Sequence, residues 1–193
     1  LSDSGFKLAA NVQTMVRPLI GSRSTNAESR LQFRNATQVE TLAAIVDETY
    51  VGSLDCPTVN GLRSAQEFLE AYAVNAQDKQ DGWFVASLKG KDVGCILVSE
   101  SGEQLEIVYF GIVPAARGRK LSSDILDFAI EFCSQRGAVS IVADVDSKNK
   151  YAIAAYEEKG FVSFDFNRVY VWQISNPHKN SRRPIAARRD SKS

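Results

Sequence analysis

The sequence predicts a mixed α/β domain: a central sheet, flanked by helices, that contains at least one parallel strand pair. Three observations carry this. Short apolar segments bounded by turn residues read as strands, among them Trp83–Leu88, Gln104–Val113 and Val139–Val145. Other segments, above all Lys120–Gln135, repeat their apolar residues at helical spacing. A strand, a helix and a further strand then follow one another in mid-chain, and such a crossover joins parallel strands.

The elements follow in order. Leu31–Arg34 is expected as a short strand. Thr37 is placed to cap a helix, with Glu40 at the capping-box position, and Leu42, Ile45 and Val46 continue it to about Tyr50. Gly52–Gly61 is a polar loop. Ser64 and Glu67 form a second capping box before a helix through Phe68, Leu69 and Tyr72. Gln77–Gly82 is a polar turn. Trp83–Leu88 and Asp92–Ser99 are strands joined as a hairpin at Lys89-Gly90-Lys91. The next strand, Gln104–Val113, stops at Pro114. Leu121, Ile125, Leu126, Phe128, Ala129 and Phe132 line one face of the following helix, and Gly137 ends it. Val139–Val145 is a strand, Asn149–Lys159 a helix ended by Gly160, and Phe161–Phe166 and Arg168–Ile174 are two closing strands.

The composition, 44% hydrophobic and 24% charged over 193 residues, is that of an ordinary globular chain. No apolar run approaches the ~20 residues of a membrane span, and Leu1–Lys7 lacks the layout of a signal peptide. Net charge is zero but uneven. Lys179, Arg182, Arg183, Arg188, Arg189 and Lys192 face only Asp190 after Asn176, which leaves a body of about −5. A tail of this kind does not fold alone. It is a solvated end or a contact for nucleic acid or an acidic partner. Cys56, Cys95 and Cys133 form no CxxC and no metal-ligand pattern, so no metal is expected. Free thiols suit a reducing interior, and the expected location is cytoplasmic. The single His178 lies at the root of the tail, which argues against histidine chemistry in the body.

Two motifs carry chemistry. The strand Ile107–Val113 runs through Pro114-Ala-Ala-Arg117-Gly118-Arg119-Lys120 into a helix. A loop that opens a helix directly after a strand offers backbone N–H groups and the positive end of the helix dipole. Arg117, Arg119 and Lys120 add charge, and the whole suits a pyrophosphate. The second motif is Asn149-x-x-Ala152-x-x-x-Tyr156-x-x-x-Gly160-Phe161. Asn149 can cap the helix or bind near its start, and Ala152 and Tyr156 share a face.

In this order, about 32 residues apart, the two motifs resemble the GNAT superfamily of N-acetyltransferases over Leu31–Ile174. The family's loop usually reads R-G-x-G-x-G. Here it is Arg117-Gly118-Arg119-Lys120-Leu121-Ser122, with Lys120 and Ser122 in place of two glycines. The resemblance implies the GNAT-type α/β (α+β) fold, acetyl-CoA as cofactor, and transfer of an acetyl group to an amine. It also implies that Ile112 and Val113 hold the pantetheine arm by their backbone. The backbone from Arg117 through Gly118, Arg119, Lys120, Leu121 and Ser122 to Ser123 would hold the pyrophosphate. Asn149 would touch the CoA arm, and Tyr156 would protonate the leaving thiolate.

Glu106 is the candidate base, acting directly or through water, or else a solvent-facing charge on the strand. Strand alternation puts it and Tyr109 on opposite faces. The acetyl oxygen would need a backbone N–H near Phe110–Ile112, with Gly111 suited to a local bulge. Tyr50, Asp55, Asn60, Arg63 and Tyr109 are the acceptor-binding candidates, while Asp55, Asn60 and Gly61 are equally turn-formers. The expected acceptor is a small-molecule amine rather than a nucleic acid. The alternative is a non-catalytic, regulatory acyl-CoA-binding domain.

Leu1–Val16 can be laid on Tyr156–Val171, with Gly5-Phe6 on Gly160-Phe161. This resembles the tail of an earlier unit in a tandem GNAT protein of the mycothiol synthase group. The expected organisation is therefore 1–22 as that tail strand, 23–30 as linker, 31–175 as the acetyltransferase domain and 176–193 as a basic tail. A homodimer, or packing against a first unit, is the expected assembly.

Overall fold

The computed structural model describes residues 6–19, 29–36, 38–59, 62–75, 80–102 and 104–172. Among them are seven strands in one sheet and four α-helices. The strands are β1 (Phe6–Pro18), β2 (Gln32–Asn35), β3 (Trp83–Leu88), β4 (Lys91–Ser101), β5 (Gln104–Ile112), β6 (Ser140–Asp146) and β7 (Val162–Trp172). The helices are α1 (Val39–Tyr50), α2 (Ala65–Asn75), α3 (Leu121–Gln135) and α4 (Lys150–Glu158). The sheet order is β2-β3-β4-β5-β6-β1-β7. Only β5–β6 is parallel, and α3 is its crossover.

Local chemistry explains most boundaries. Leu88 pairs with Lys91 across a two-residue turn in which Lys89 and Gly90 both have positive φ. That conformation matches the twist of the flanking strands. Ser64 and Glu67 form the expected reciprocal cap: Ser64 N–H donates to Glu67 Oε2 at 2.8 Å and Glu67 N–H to Ser64 Oγ at 3.1 Å. Helix α1 departs from expectation. It starts at Val39 with Gln38 at the cap and no side-chain cap bond; Thr37 lies outside the described residues.

The closing strands are the main correction. The two strands expected at Phe161–Phe166 and Arg168–Ile174 are one: Val162–Trp172 is a continuous edge strand, and residues 173–174 lie outside the described residues. The N-terminal segment lies alongside it. β1 lies between β6 and β7 and is antiparallel to both, so β7 pairs along its inner side without a reversal at Asn167. Exposed Val162, Phe164 and Phe166 leave β7 an apolar outer strand. The basic tail lies outside the described residues.

Two cores form, one on each face of the sheet. Leu42, Val46, Leu69, Trp83, Val85 and Leu97 bury α1 and α2 against β3 and β4. Met15, Ile96, Leu121, Ile125, Leu126, Ile141, Tyr156 and Phe161 belong to the other, under α3 and α4. An aromatic cluster fixes α3: Phe33 stacks on Phe128 at 3.8 Å between centroids, and Phe84 meets Phe128 and Phe132 edge-on. No helix among the described residues is long and apolar enough to cross a membrane.

Candidate active site

The site begins where the parallel pair stops. β5 and β6 pair only over Gln104–Ile107 and Ser140–Ala143, yet both strands continue, to Ile112 and Asp146. Beyond Ile107 they part, and a cavity of 660 Å³ lies there. Val108 is the bulged residue, because Leu97 pairs with Tyr109 and Val98 with Ile107. The bulge was expected at Gly111, which instead pairs regularly with Cys95. Gly111 has a different reason: a Cβ there would lie 2.6 Å from Thr49 Oγ1 and 2.7 Å from Thr49 Cβ. Only glycine lets the end of α1 rest on β5.

The bulge also resets the alternation. Glu106 pairs with Ser99 and Tyr109 with Leu97, so Glu106 and Tyr109 share a face instead of opposing each other. Tyr109 lines the cavity and Glu106 does not. Glu106 is half-buried beside Tyr72 and Asp144, and burial followed by Asp144 raises its pKa.

Lys120 caps α3 in the left-handed conformation, φ 58° and ψ 27°, where the family's loop usually has glycine. Gly118 also has positive φ, 72°. The N–H groups of Leu121 and Ser122 open a 15-residue helix and carry the positive end of its dipole, while Ser123 N–H turns back to Lys120 O at 3.3 Å. Gly118, Lys120, Leu121 and Ser122 line the cavity, whereas Arg119 and Ser123 do not. Ile112 lines it too, while Val113 is buried and donates its N–H to Val93 O at 3.0 Å. Arg117 lines the cavity as a clamp. Its Nε donates to Ile112 O at 3.0 Å, and its two Nη groups donate to Val51 O and Thr49 O, each at 2.8 Å. It ties the end of α1 to the end of β5.

On the facing wall, Asn149 Oδ1 accepts from Ala152 N at 3.2 Å, so Asn149 caps α4 as well as lining the cavity. Its side chain also bonds Asp55, whose Oδ1 accepts from Asp146 N at 3.0 Å. Asp55 thus carries the α1–α2 loop across to the end of β6. Burial raises its pKa, against the pull of these hydrogen bonds. Tyr50 and Tyr109 complete this side, edge to face at 5.7 Å. Thr49 gives its hydroxyl proton to Val46 O and therefore accepts from Tyr109 Oη at 2.6 Å. Burial pushes the Tyr50 phenol up to about 12. Arg63 is exposed and away from the cavity, and Asn60 lies outside the described residues.

Tyr156 is 4% exposed, between Phe110 and Phe161, and lines the cavity. Burial, then Asp55 and Asp144, raise its pKa well above the ordinary phenol value, so it stays protonated. Among the described residues no hydrogen-bond partner for its hydroxyl is present.

Thr49, Asp144 and Tyr151 line the cavity without having been singled out in the sequence. Asp144 carried a signal, a charge inside the apolar strand Ile141–Val145. Thr14 of β1 donates to its Oδ1 at 2.6 Å.

The split parallel pair thus opens between a basic helix entrance on one side and a buried phenol on the other. Residues 46–161 match the model of the acetyltransferase (GNAT) family, and the chain belongs to that family. Acetyl-CoA is the acetyl donor that this family uses. The chain is 29% identical over 75 residues to a mycothiol acetyltransferase of Renibacterium salmoninarum. That match covers 39% of this chain and only 22% of the relative. A GCN5-related N-acetyltransferase from Sphaerobacter thermophilus superimposes with a TM-score of 0.65 at 16% identity, covering 88% of this chain and 53% of that one. The PaiA N-acetyltransferase from Thermoplasma acidophilum, solved in complex with coenzyme A, gives 0.57 at 18% identity, over 72% of this chain and 96% of that one.

Proposed function

We propose that the chain is an acetyl-CoA-dependent N-acetyltransferase whose acceptor is a small molecule bearing an amine. The observation that carries this reading is the single cavity wall-to-wall between the α3 entrance and Tyr156. Backbone of Gly118–Ser122 and the charge of Lys120 would hold the diphosphate. Backbone of β5 beyond the Val108 bulge would hold the pantetheine arm and face the acetyl oxygen. Acetyl-CoA, when bound, supplies the activated thioester. Tyr156 would give its proton to the departing sulfur. Asp55 and Asp144 favour a cationic acceptor, and Tyr50 and Tyr109 would shape its apolar side. Glu106, set back from the cavity on the same face, would take the amine proton through water.

Titration of CoA and acetyl-CoA by thermal shift, followed by free-thiol release with a panel of amines, tests this. Stabilisation by both and thiol release with at least one amine is expected. Binding without thiol release supports the alternative, an acyl-CoA-binding regulatory domain. Absence of binding removes both. The Glu106 role has its own check. A base must be deprotonated to act, so kcat/KM rises with pH through its pKa. Because that pKa is raised, the acid limb should stand above the ordinary carboxylate value of 4.5 and vanish in Glu106→Gln.

For assembly, the same reading puts contact with a second copy, or with another unit of this kind, on the outer edge of β7. Phe6–Pro18, expected as the tail of an earlier unit, then serves this domain by holding Asp144 through Thr14.

A further inference from the structure

The segment read from sequence as the end of a linker grips the cofactor loop. Arg30 Nη1 donates to Arg119 O at 3.3 Å and Nη2 to Lys120 O at 3.1 Å. Its Nε donates to both carboxylate oxygens of Asp124, at 3.4 and 3.2 Å, and Nη2 pairs with Oδ2 as well. The Arg30 backbone N–H also reaches Asp124 Oδ1 at 3.3 Å. One side chain thus joins two loop carbonyls to the first turn of α3. Each carbonyl shares a planar peptide group with the next residue's N–H, Arg119 O with Lys120 N–H and Lys120 O with Leu121 N–H, so fixing the carbonyls fixes those two N–H groups at the helix entrance.

The grip answers a specific problem. Lys120 holds a left-handed conformation without being glycine, which persists only where the surroundings over-determine it. Asp124 sets a negative charge one turn from the proposed diphosphate, where Arg30 neutralises it.

We propose that Arg30, locked to Asp124, is a positioning residue that presets the diphosphate loop in place of the absent glycines. This rests on the reading that residues 118–122 hold the cofactor's diphosphate. Arg30 does not line the cavity and reaches it only through Lys120.

The test uses two probes, CoA and pantetheine, which lacks the diphosphate, with affinities by calorimetry and KM and kcat for acetyl-CoA. The wild type should bind CoA much more tightly than pantetheine; equal affinities defeat the loop reading itself. Arg30→Ala should weaken CoA roughly tenfold, the worth of one charge-assisted hydrogen bond, raise KM and leave pantetheine affinity and kcat unchanged. Arg30→Lys keeps the ion pair but cannot reach both carbonyls. It should therefore recover the melting temperature without recovering CoA affinity, and it stands in should Arg30→Ala not fold. If the wild type discriminates and Arg30→Ala still does so equally well, the proposal is wrong. It is also wrong if R30A/D124N restores CoA binding, because Arg30 would then act only as a counter-charge.

Discussion

Tyr156→Phe is expected to slow acetyl transfer by about 10²- to 10⁴-fold, the usual worth of a positioned acid, while coenzyme A affinity holds. The substitution removes one oxygen and keeps the ring between Phe110 and Phe161. The melting temperature should therefore stay near that of the wild type. The phenol pKa is raised by burial and by the negative charges of Asp55 and Asp144. The proton is thus held at every pH at which the protein is normally assayed, so no alkaline limb from Tyr156 should appear. Stopped-flow release of thiol at saturating acetyl-CoA measures the effect. An unaltered rate in the variant removes Tyr156 from the chemistry.

Gly111→Ala is expected to damage fold and site together. Its Cβ would press on Thr49 at 2.6–2.7 Å, closer than a real side chain tolerates. Overpacking of this kind costs about 1–3 kcal/mol. Relief requires the end of α1 to lift from β5. That movement pulls on Thr49 O and Val51 O, which Arg117 clamps, and on the Tyr109–Thr49 hydrogen bond. Denaturant unfolding should report the stability loss, and KM for both substrates should rise because α1 and its loop wall the cavity. Thr49→Ser in the same chain removes the Cγ2 contact at 3.0 Å and should recover part of the loss. Full stability in Gly111→Ala would show that the contact is soft.

Several parts of the fold and of the site were legible because their chemistry is local. The Ser64–Glu67 cap, the Lys89–Gly90 turn and the apolar stripe of α3 each depend on residues a few positions apart. The two motif loops likewise brought Lys120, Ser122, Asn149 and Tyr156 to notice, and one cavity now gathers them. Other parts were hidden for identifiable reasons. The bulge at Val108 carries no residue signature, and by adding one position it put Glu106 and Tyr109 on one face. Arg117 reads as charge for a phosphate, yet its guanidinium meets carbonyls 66 and 68 residues away in the chain. Asp55 reads as a turn-former, yet it bonds the end of β6 across 91 residues.

By itself, then, the amino-acid order determined the helices, most strands and the crossover that makes β5–β6 parallel. These follow from periodicity, capping and turn chemistry, which act over one or two turns of chain. Only the tertiary structure decided that β1 enters between β6 and β7, that the closing segment is one strand, and that Arg30 grips the loop before α3. Each is a choice of partner across a long stretch of chain. Strand edges and guanidinium groups accept many partners, and packing of the whole sheet selects one.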